Sequence, residues 1–387
     1  MLKYRFTSLA ILALALSFSL TTSAAETKSS KSPGKPQAKK PRPKPVVSPL
    51  LFGDGRLTFQ VSAPNAKEVF LTGQMLKTKR ILLGKDGRGI WSATIAPVAP
   101  GVYEYSFLID GQKTIDPGNS QIKPMRSPRS SILHIRGTES ERHHADFRND
   151  IPHGTVHYHS YHSLAINRFR ELEIYTPPGY ETSNERYPLL VLQHGHSDSY
   201  ATWTRHGKAH WILDNLIADG KAMPMIVVMA DGHPVPESYG GGRSVANTEE
   251  LRKDLLEAVL PMVEKNYRVK PGRGNRAITG LSMGGLHSLA IGLTEMDEFG
   301  WVGAFSAACP DAEAVASALK DSADTNVRLK LLWIAIGKKD FLLKENRRFR
   351  DELKEAGVKH VYRETEGSHS WPVWRGYLAE FAPLLFQ

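Results

Sequence analysis

The sequence predicts an α/β fold with a mostly parallel sheet, preceded by a smaller all-β sandwich. Three observations carry this reading. Over residues 51–136 apolar and polar residues alternate in short runs divided by turn residues, the period of half-buried strands. From Ile151 onward, continuous apolar runs alternate with segments of helical periodicity, as in a sheet covered by helices. One of those runs ends in Gly280-Leu281-Ser282-Met283-Gly284, a G-x-S-x-G turn in which a strand gives way to a helix within two residues. With 387 residues, 41% of them hydrophobic, the chain can fill both cores.

Ahead of these domains the chain reads as an export signal and a tether. Lys3 and Arg5, an apolar stretch over 9–20 and the small residues Thr22-Ser23-Ala24-Ala25 predict a cleaved signal peptide over 1–25, and hence a secreted or periplasmic protein. The apolar stretch is shorter than the roughly 20 residues a spanning helix needs. Residues 26–49 are rich in Lys, Pro and Ser, a linker that cannot build a core. Residues 1–49 hold nine of the 50 basic residues but one of the 40 acidic ones, so most of the net charge of +10 is theirs. The rest of the chain is nearly balanced, so the high pI is poor evidence for nucleic-acid binding, and no nucleic-acid partner is expected. Cys309 is the only cysteine, so neither an intrachain disulfide nor a cysteine-built zinc site can form; a small buried residue is expected there.

The sandwich is assigned to 50–136. Residues 102–109 place Tyr103, Tyr105, Phe107 and Ile109 on one face and run into Asp110-Gly111, a hairpin turn pair. About seven strands in about 85 residues, with no helical stretch, predict an immunoglobulin-like module. The succession Ala63-Pro64-Asn65, Gly89-Ile90-Trp91, Gly101-Val102-Tyr103 and Ile115-Asp116-Pro117 resembles the early-set sandwich modules related to glycogen-binding domains. That resemblance allows a contact with glycan, or a role in shaping the mouth of a neighbouring active site, while Trp91, Tyr103 and Tyr105 suit its core equally. Residues 137–150 form a connection, in which His143-His144 is expected to be solvated rather than metal-binding.

The second domain spans 151–387. Strand-like runs fall at 155–162, 169–175, 187–193, 225–229, 276–279, 301–305, 330–336 and 361–364. Eight strands with the G-x-S-x-G turn after the fifth describe an α/β-hydrolase. Gly280 and Gly284 let the backbone pass close to Ser282, and the helix that begins there turns its positive end toward the serine, which favours an anion. Ser282 is the expected nucleophile. The turn His194-Gly195-His196-Ser197-Asp198 follows a buried strand, so the N–H of His196, or of Gly195, is expected to join that of Met283 in an oxyanion hole. The base follows the last strand, at His369, and the acid follows the strand before it, at Asp340, with Asp311 as the alternative acid and His360 structural. Trp203, Phe341, Trp371 and Trp374 are the candidates for an aromatic substrate wall, although each also suits packing. Residues 249–267, with Leu251, Leu255, Leu256, Val259 and Val263 at helical spacing, form a covering helix. His157 and His159 share a strand face that His162 opposes, and His194 and His196 lack an evident third ligand. No metal or organic cofactor is required.

The catalytic domain resembles the esterase D-related hydrolases that include bacterial feruloyl and acetyl-xylan esterases, the first carbohydrate-esterase family. The resemblance rests on Pro152-His153-Gly154, Tyr175-Thr176-Pro177-Pro178-Gly179-Tyr180, His194-Gly195, the run 212–220 and Arg276-Ala277-Ile278-Thr279-Gly280-Leu281-Ser282-Met283-Gly284-Gly285. It implies Ser282 as nucleophile, Asp340 as acid and His369 as base. The chain departs from the family's usual pattern at Gly367-Ser368-His369-Ser370-Trp371 and at His196-Ser197-Asp198. The expected function is a serine carboxylesterase removing feruloyl or acetyl groups from plant cell-wall polysaccharide such as xylan, or cleaving small aromatic esters. A siderophore (enterochelin-like) esterase and a mycolyl-type acyltransferase are the alternatives.

Overall fold

The computed structural model describes residues 45–137, 145–236 and 241–387. The proposed signal peptide, most of the tether and His143-His144 lie outside them. Residues 45–387 form one compact unit, so the β region and the large sheet are not separate bodies.

The β region contains two antiparallel sheets. One has the order β1 (Leu50–Leu51), β2 (Leu57–Ser62), β6 (Ile90–Ile95), β5 (Gly84–Lys85); the other has β4 (Ile81–Leu82), β3 (Val69–Gly73), β7 (Gly101–Ile109), β8 (Gln112–Thr114), with β9 (Ser131–Ile135) also on β7. Alternate residues of both sheets, among them Phe59, Val61, Val69, Leu71, Trp91 and Phe107, share one core. The Asp110-Gly111 turn has positive φ at both residues (46° and 86°), the geometry a two-residue hairpin requires, and its register pairs Ile109 with Gln112. Of the three aromatics weighed for glycan contact, Trp91 and Tyr105 are buried in the core and Tyr103 is half-buried. Trp91 gives its Nε1–H to Ala63 O at 2.9 Å, the Tyr105 hydroxyl bonds Asp116 Oδ2 at 2.7 Å, and the Tyr103 hydroxyl bonds Ala99 O at 2.7 Å.

Eight strands build the large sheet: β10 (Thr155–Ser163), β11 (Arg168–Thr176), β12 (Leu189–Gln193), β13 (Ile226–Ala230), β14 (Arg276–Gly280), β15 (Trp301–Phe305), β16 (Leu331–Gly337) and β17 (Val361–Thr365). Their order is β10-β11-β13-β12-β14-β15-β16-β17, with β11 antiparallel to both of its neighbours, β10 and β13, and the remaining pairs parallel. The central strands β12, β13, β14 and β15 are buried throughout, which is why they read as mostly apolar runs without polar alternation. Separate apolar clusters cover the two faces of the sheet.

Several stretches that carry the family resemblance meet at one buried carboxylate. Asp214 accepts from Gly154 N–H at 2.9 Å and the Tyr175 hydroxyl at 2.7 Å through Oδ1, and holds His153 Nδ1 at 2.9 Å through Oδ2. A side chain at Gly154 would lie 2.3 Å from Thr176 O, so the strand passes too closely for anything larger. The covering helix begins earlier than its apolar spacing indicates. It starts at Val245, where the Ser244 side chain caps Asn247 N–H, and runs to Asn266 through a π turn at Leu255–Val259. Pro261 has no N–H to return to the 257 carbonyl, and the ladder shifts by one residue there.

Candidate active site

β14 ends at Gly280, and within three residues a helix, α1 (Met283–Thr294), begins. Ser282, at the bend, has φ 54° and ψ −112°, a conformation that an L-residue holds only where the surroundings fix it. They do so with backbone bonds: Ser282 N–H gives to Phe305 O at 2.9 Å, and Ser282 O accepts from Leu286 N–H at 3.1 Å and Ala308 N–H at 3.0 Å. The two glycines of the turn are sterically required. A Cβ at 280 would lie 2.6 Å from Gly284 O, and one at 284 would lie 2.6 Å from the carbonyl oxygens of both Gln193 and His194.

The loops after β16 and β17 bring two further side chains to the serine. His369 Nε2 lies 3.0 Å from Ser282 Oγ, and its Nδ1 lies 2.9 Å from Asp340 Oδ2 and 3.1 Å from Oδ1. The Asp340 side chain is fully buried, and Leu342 N–H at 2.9 Å holds its Oδ1. The loops are interlocked: Lys339 N–H gives to Gly367 O at 2.9 Å, and a Cβ at Gly337 would strike Gly367 O at 2.5 Å. Asp311, the alternative acid, is exposed and lines a different cavity beside Cys309. His360 bonds Val358 O at 2.8 Å through Nδ1. Cys309 is buried, and burial pushes its thiol up, so it stays protonated and unreactive.

Met283 is the first helical residue of α1, a position whose N–H has no partner within the helix. Facing it is the turn after β12. Asp198 N–H closes this turn on Gly195 O at 3.1 Å, and the same oxygen accepts His194 Nδ1–H at 2.8 Å. His194 Nε2 then accepts Gly232 N–H at 2.8 Å, which fixes the tautomer and ties the turn to the end of β13. Gly195 stands against the nucleophile, since a Cβ there would lie 3.7 Å from Ser282 Cβ.

Among the described residues the fold supplies no third ligand for His194 with His196, but groups His194 with two other residues. His194, Asp231 and His233 bring one ligand atom each within 4.8 Å of one another. Both His194 ring nitrogens are already hydrogen-bonded, so a cation there would have to break one of these bonds. The histidines of β10 do not cluster: His157 and His159 both pack on Tyr267, and His162 packs on Phe169.

Ser282 and His369 open on a cavity of about 570 Å³. Phe341, Trp371 and Trp374 line it as expected, with Phe341 and Trp374 on the His369 ring at centroid distances of 4.4 and 4.8 Å. Trp203 does not line it. Its ring is wholly buried, edge-on to Trp371, and its Nε1–H gives to Gln193 O at 3.0 Å, so it is a core residue that supports the wall from behind. The β region shapes the mouth of this cavity, a role the sequence allowed, through Gln74, Glu104 and Lys123, which sequence reasoning did not single out.

A serine, an imidazole and a carboxylate linked in this order at the carboxyl ends of parallel strands, on a mixed eight-stranded sheet, define the class as α/β-hydrolase. The model of the Esterase family matches residues 163–385, and the chain belongs to that family. An endo-1,4-beta-xylanase/feruloyl esterase of Xylanibacter ruminicola is 33% identical over 349 residues, 88% of this chain and 46% of that one. The chain thus spans less than half the length of that curated relative. Among solved structures, a ferulic acid esterase is 25% identical and covers 61% of this chain and 100% of its own, with a TM-score of 0.54. The enterobactin esterase of Shigella flexneri is 17% identical and covers 85% of this chain and 92% of its own, with a TM-score of 0.59, a likeness of fold.

Proposed function

We propose that the protein is a serine carboxylesterase that removes feruloyl or acetyl groups from plant cell-wall polysaccharide such as xylan. The observation that carries the chemistry is the unbroken chain Ser282 Oγ, His369 Nε2, His369 Nδ1, Asp340 Oδ2, with contacts of 3.0 and 2.9 Å. In this reading His369 takes the Ser282 proton as Oγ attacks the ester carbonyl, and Asp340 holds the ring and stabilises its cation. The N–H groups of Met283 and of His196 or Gly195 receive the oxyanion. The alcohol leaves with the proton from His369, and water then releases the acid from Ser282 by the same route. No metal or organic cofactor enters.

The substrate class is supported by the xylanase/feruloyl esterase relative and by Phe341, whose exposed ring at the cavity offers a face for a cinnamoyl ring, with the largely buried Trp371 and Trp374 behind it. The two small sheets are an immunoglobulin-like module in this proposal, and residues 1–25 a signal peptide that sends the enzyme to the periplasm or beyond. A second reading, hydrolysis of a catecholate siderophore, draws on the 85% coverage by the enterobactin esterase fold, which extends beyond the residues of the large sheet. The purified protein should hydrolyse methyl ferulate with a higher kcat/KM than a catechol trilactone, with p-nitrophenyl acetate as a neutral reference. Preference for the trilactone would overturn the cell-wall assignment in favour of the second reading.

A further inference from the structure

The oxyanion turn is held from two sides, and only one of them belongs to the large sheet. On the other side lies the segment 123–126, which leads from β8 to β9. Met125 pairs antiparallel with Asp198, Arg126 N–H gives to Ser197 O at 3.2 Å, and the Thr202 hydroxyl gives to Pro124 O at 2.6 Å. Beneath the turn, Lys123 Nζ lies 3.0 Å from Asp198 Oδ1 and 3.0 Å from Glu104 Oε1 on β7. The Lys123 and Asp198 side chains are 7% and 4% exposed, so water screens this pair little.

One ammonium serves two carboxylates. Burial alone would pull the Lys123 ammonium down, but Asp198 and Glu104 outweigh it and hold it above its ordinary value. Burial pushes the Asp198 carboxyl up, and the Lys123 ammonium, shared with Glu104, offsets this only in part. Removing Lys123 leaves Asp198 buried without a counter-charge at the base of the turn. The turn must then move or take up a proton. An oxyanion donor works only when held to within about 0.5 Å of its productive place, so movement of the turn falls on the transition state.

We propose that Lys123 is a positioning residue for catalysis: through Asp198 it fixes the turn that carries the Gly195 and His196 N–H groups, which makes the β region a working part of the active site. This rests on the oxyanion hole assigned under the proposed function. The test compares Lys123→Met and Lys123→Arg with the unaltered full chain, using p-nitrophenyl acetate and methyl ferulate. Lys123→Met should lower kcat about 10- to 100-fold, by the same factor for both esters because the oxyanion is common to them, with KM changed less than twofold. It should weaken inhibition by phenylboronic acid, a mimic of the tetrahedral state, while leaving inhibition by ferulate unchanged. Lys123→Arg should recover kcat to within about threefold. If Lys123→Met does not fold, Asp198→Asn, which keeps the shape of the side chain, should show the same kcat loss. A folded variant of either kind with kcat within twofold of the unaltered enzyme, or a loss confined to KM or to one ester, overturns the proposal. Ser282→Ala separates the two levels: an inactive Ser282→Ala beside a normal Lys123→Met sinks this inference alone, whereas an active Ser282→Ala sinks the serine-esterase reading.

Discussion

Replacing Asp340 by asparagine tests the triad at its most constrained point. Asp340 Oδ1 is held by Leu342 N–H at 2.9 Å, so the amide oxygen of asparagine must take that place and its NH2 group must take the place of Oδ2. That atom lies 2.9 Å from His369 Nδ1. A ring that keeps its proton on Nδ1 then faces a second donor at hydrogen-bond distance. The conflict is relieved when the proton moves to Nε2, where the ring can no longer accept from Ser282 Oγ 3.0 Å away. The size of the substitution is unchanged, so the buried site should keep its packing. A tautomer reversal of this kind lowers kcat by about 10⁴-fold, equivalent to about 5 kcal/mol of transition-state stabilisation. The assay is steady-state hydrolysis of methyl ferulate at pH 7, with thermal unfolding as the control for fold. A properly folded Asp340→Asn enzyme that loses less than tenfold would refute the assigned role of the carboxylate.

Gly284→Ala should abolish activity or prevent folding, because its Cβ would lie 2.6 Å from two main-chain oxygens; expression and circular dichroism, then kcat, decide between them. Phe341 is 72% exposed while lining the cavity, so Phe341→Ala should raise KM for methyl ferulate several-fold with the Tm within about 2 °C of the parent. Trp203→Ala, by contrast, should cost about 3–5 kcal/mol of stability in a urea titration, since it empties a fully buried site. Lys208 is buried, and that burial, with Arg375 nearby, holds its ammonium down at about 8 against an ordinary 10.5. The folded state therefore binds fewer protons than the unfolded one between those values, and stability from this group rises with pH across them. Lys208→Met should stabilise the protein by about 2 kcal/mol at pH 6.5, after loss of the contact between the ammonium and the Trp211 ring, and the gain should fade by about pH 10.5. A gain that grows with pH would contradict this.

The parts legible in the sequence are those set by local pattern or by order along the chain. β12 to β15 read as strands because burial on both faces leaves them mostly apolar, with Gln193, Arg276 and Thr279 the exceptions and no polar alternation. Asp340 and His369 could be chosen because a strand's end and a place in the chain suffice to nominate them. Trp203 was nominated for the wall and lies behind it, since an indole in an apolar neighbourhood gives no sign of which side faces solvent. The early start of the covering helix was hidden because Val245 to Thr248 hold no apolar spacing, only the Ser244 cap. Lys123 and Asp198 stand 75 positions apart, and no local signal links a lysine after one hairpin to an aspartate after a buried strand. The same holds for Asp231 and His233 beside His194, where strand order alone makes neighbours. The fusion of the β region with the large sheet into one compact unit is likewise a property of such long-range pairs.

The most direct measurement of the central claim is the site of covalent attachment. The enzyme is treated with an equimolar organophosphate, digested and mapped by mass spectrometry. One phosphoryl group per chain is expected, on Ser282, with turnover lost in proportion to labelling and neither labelling nor turnover in the His369→Ala variant. A label on another residue, or full activity in a chain labelled at Ser282, would contradict it.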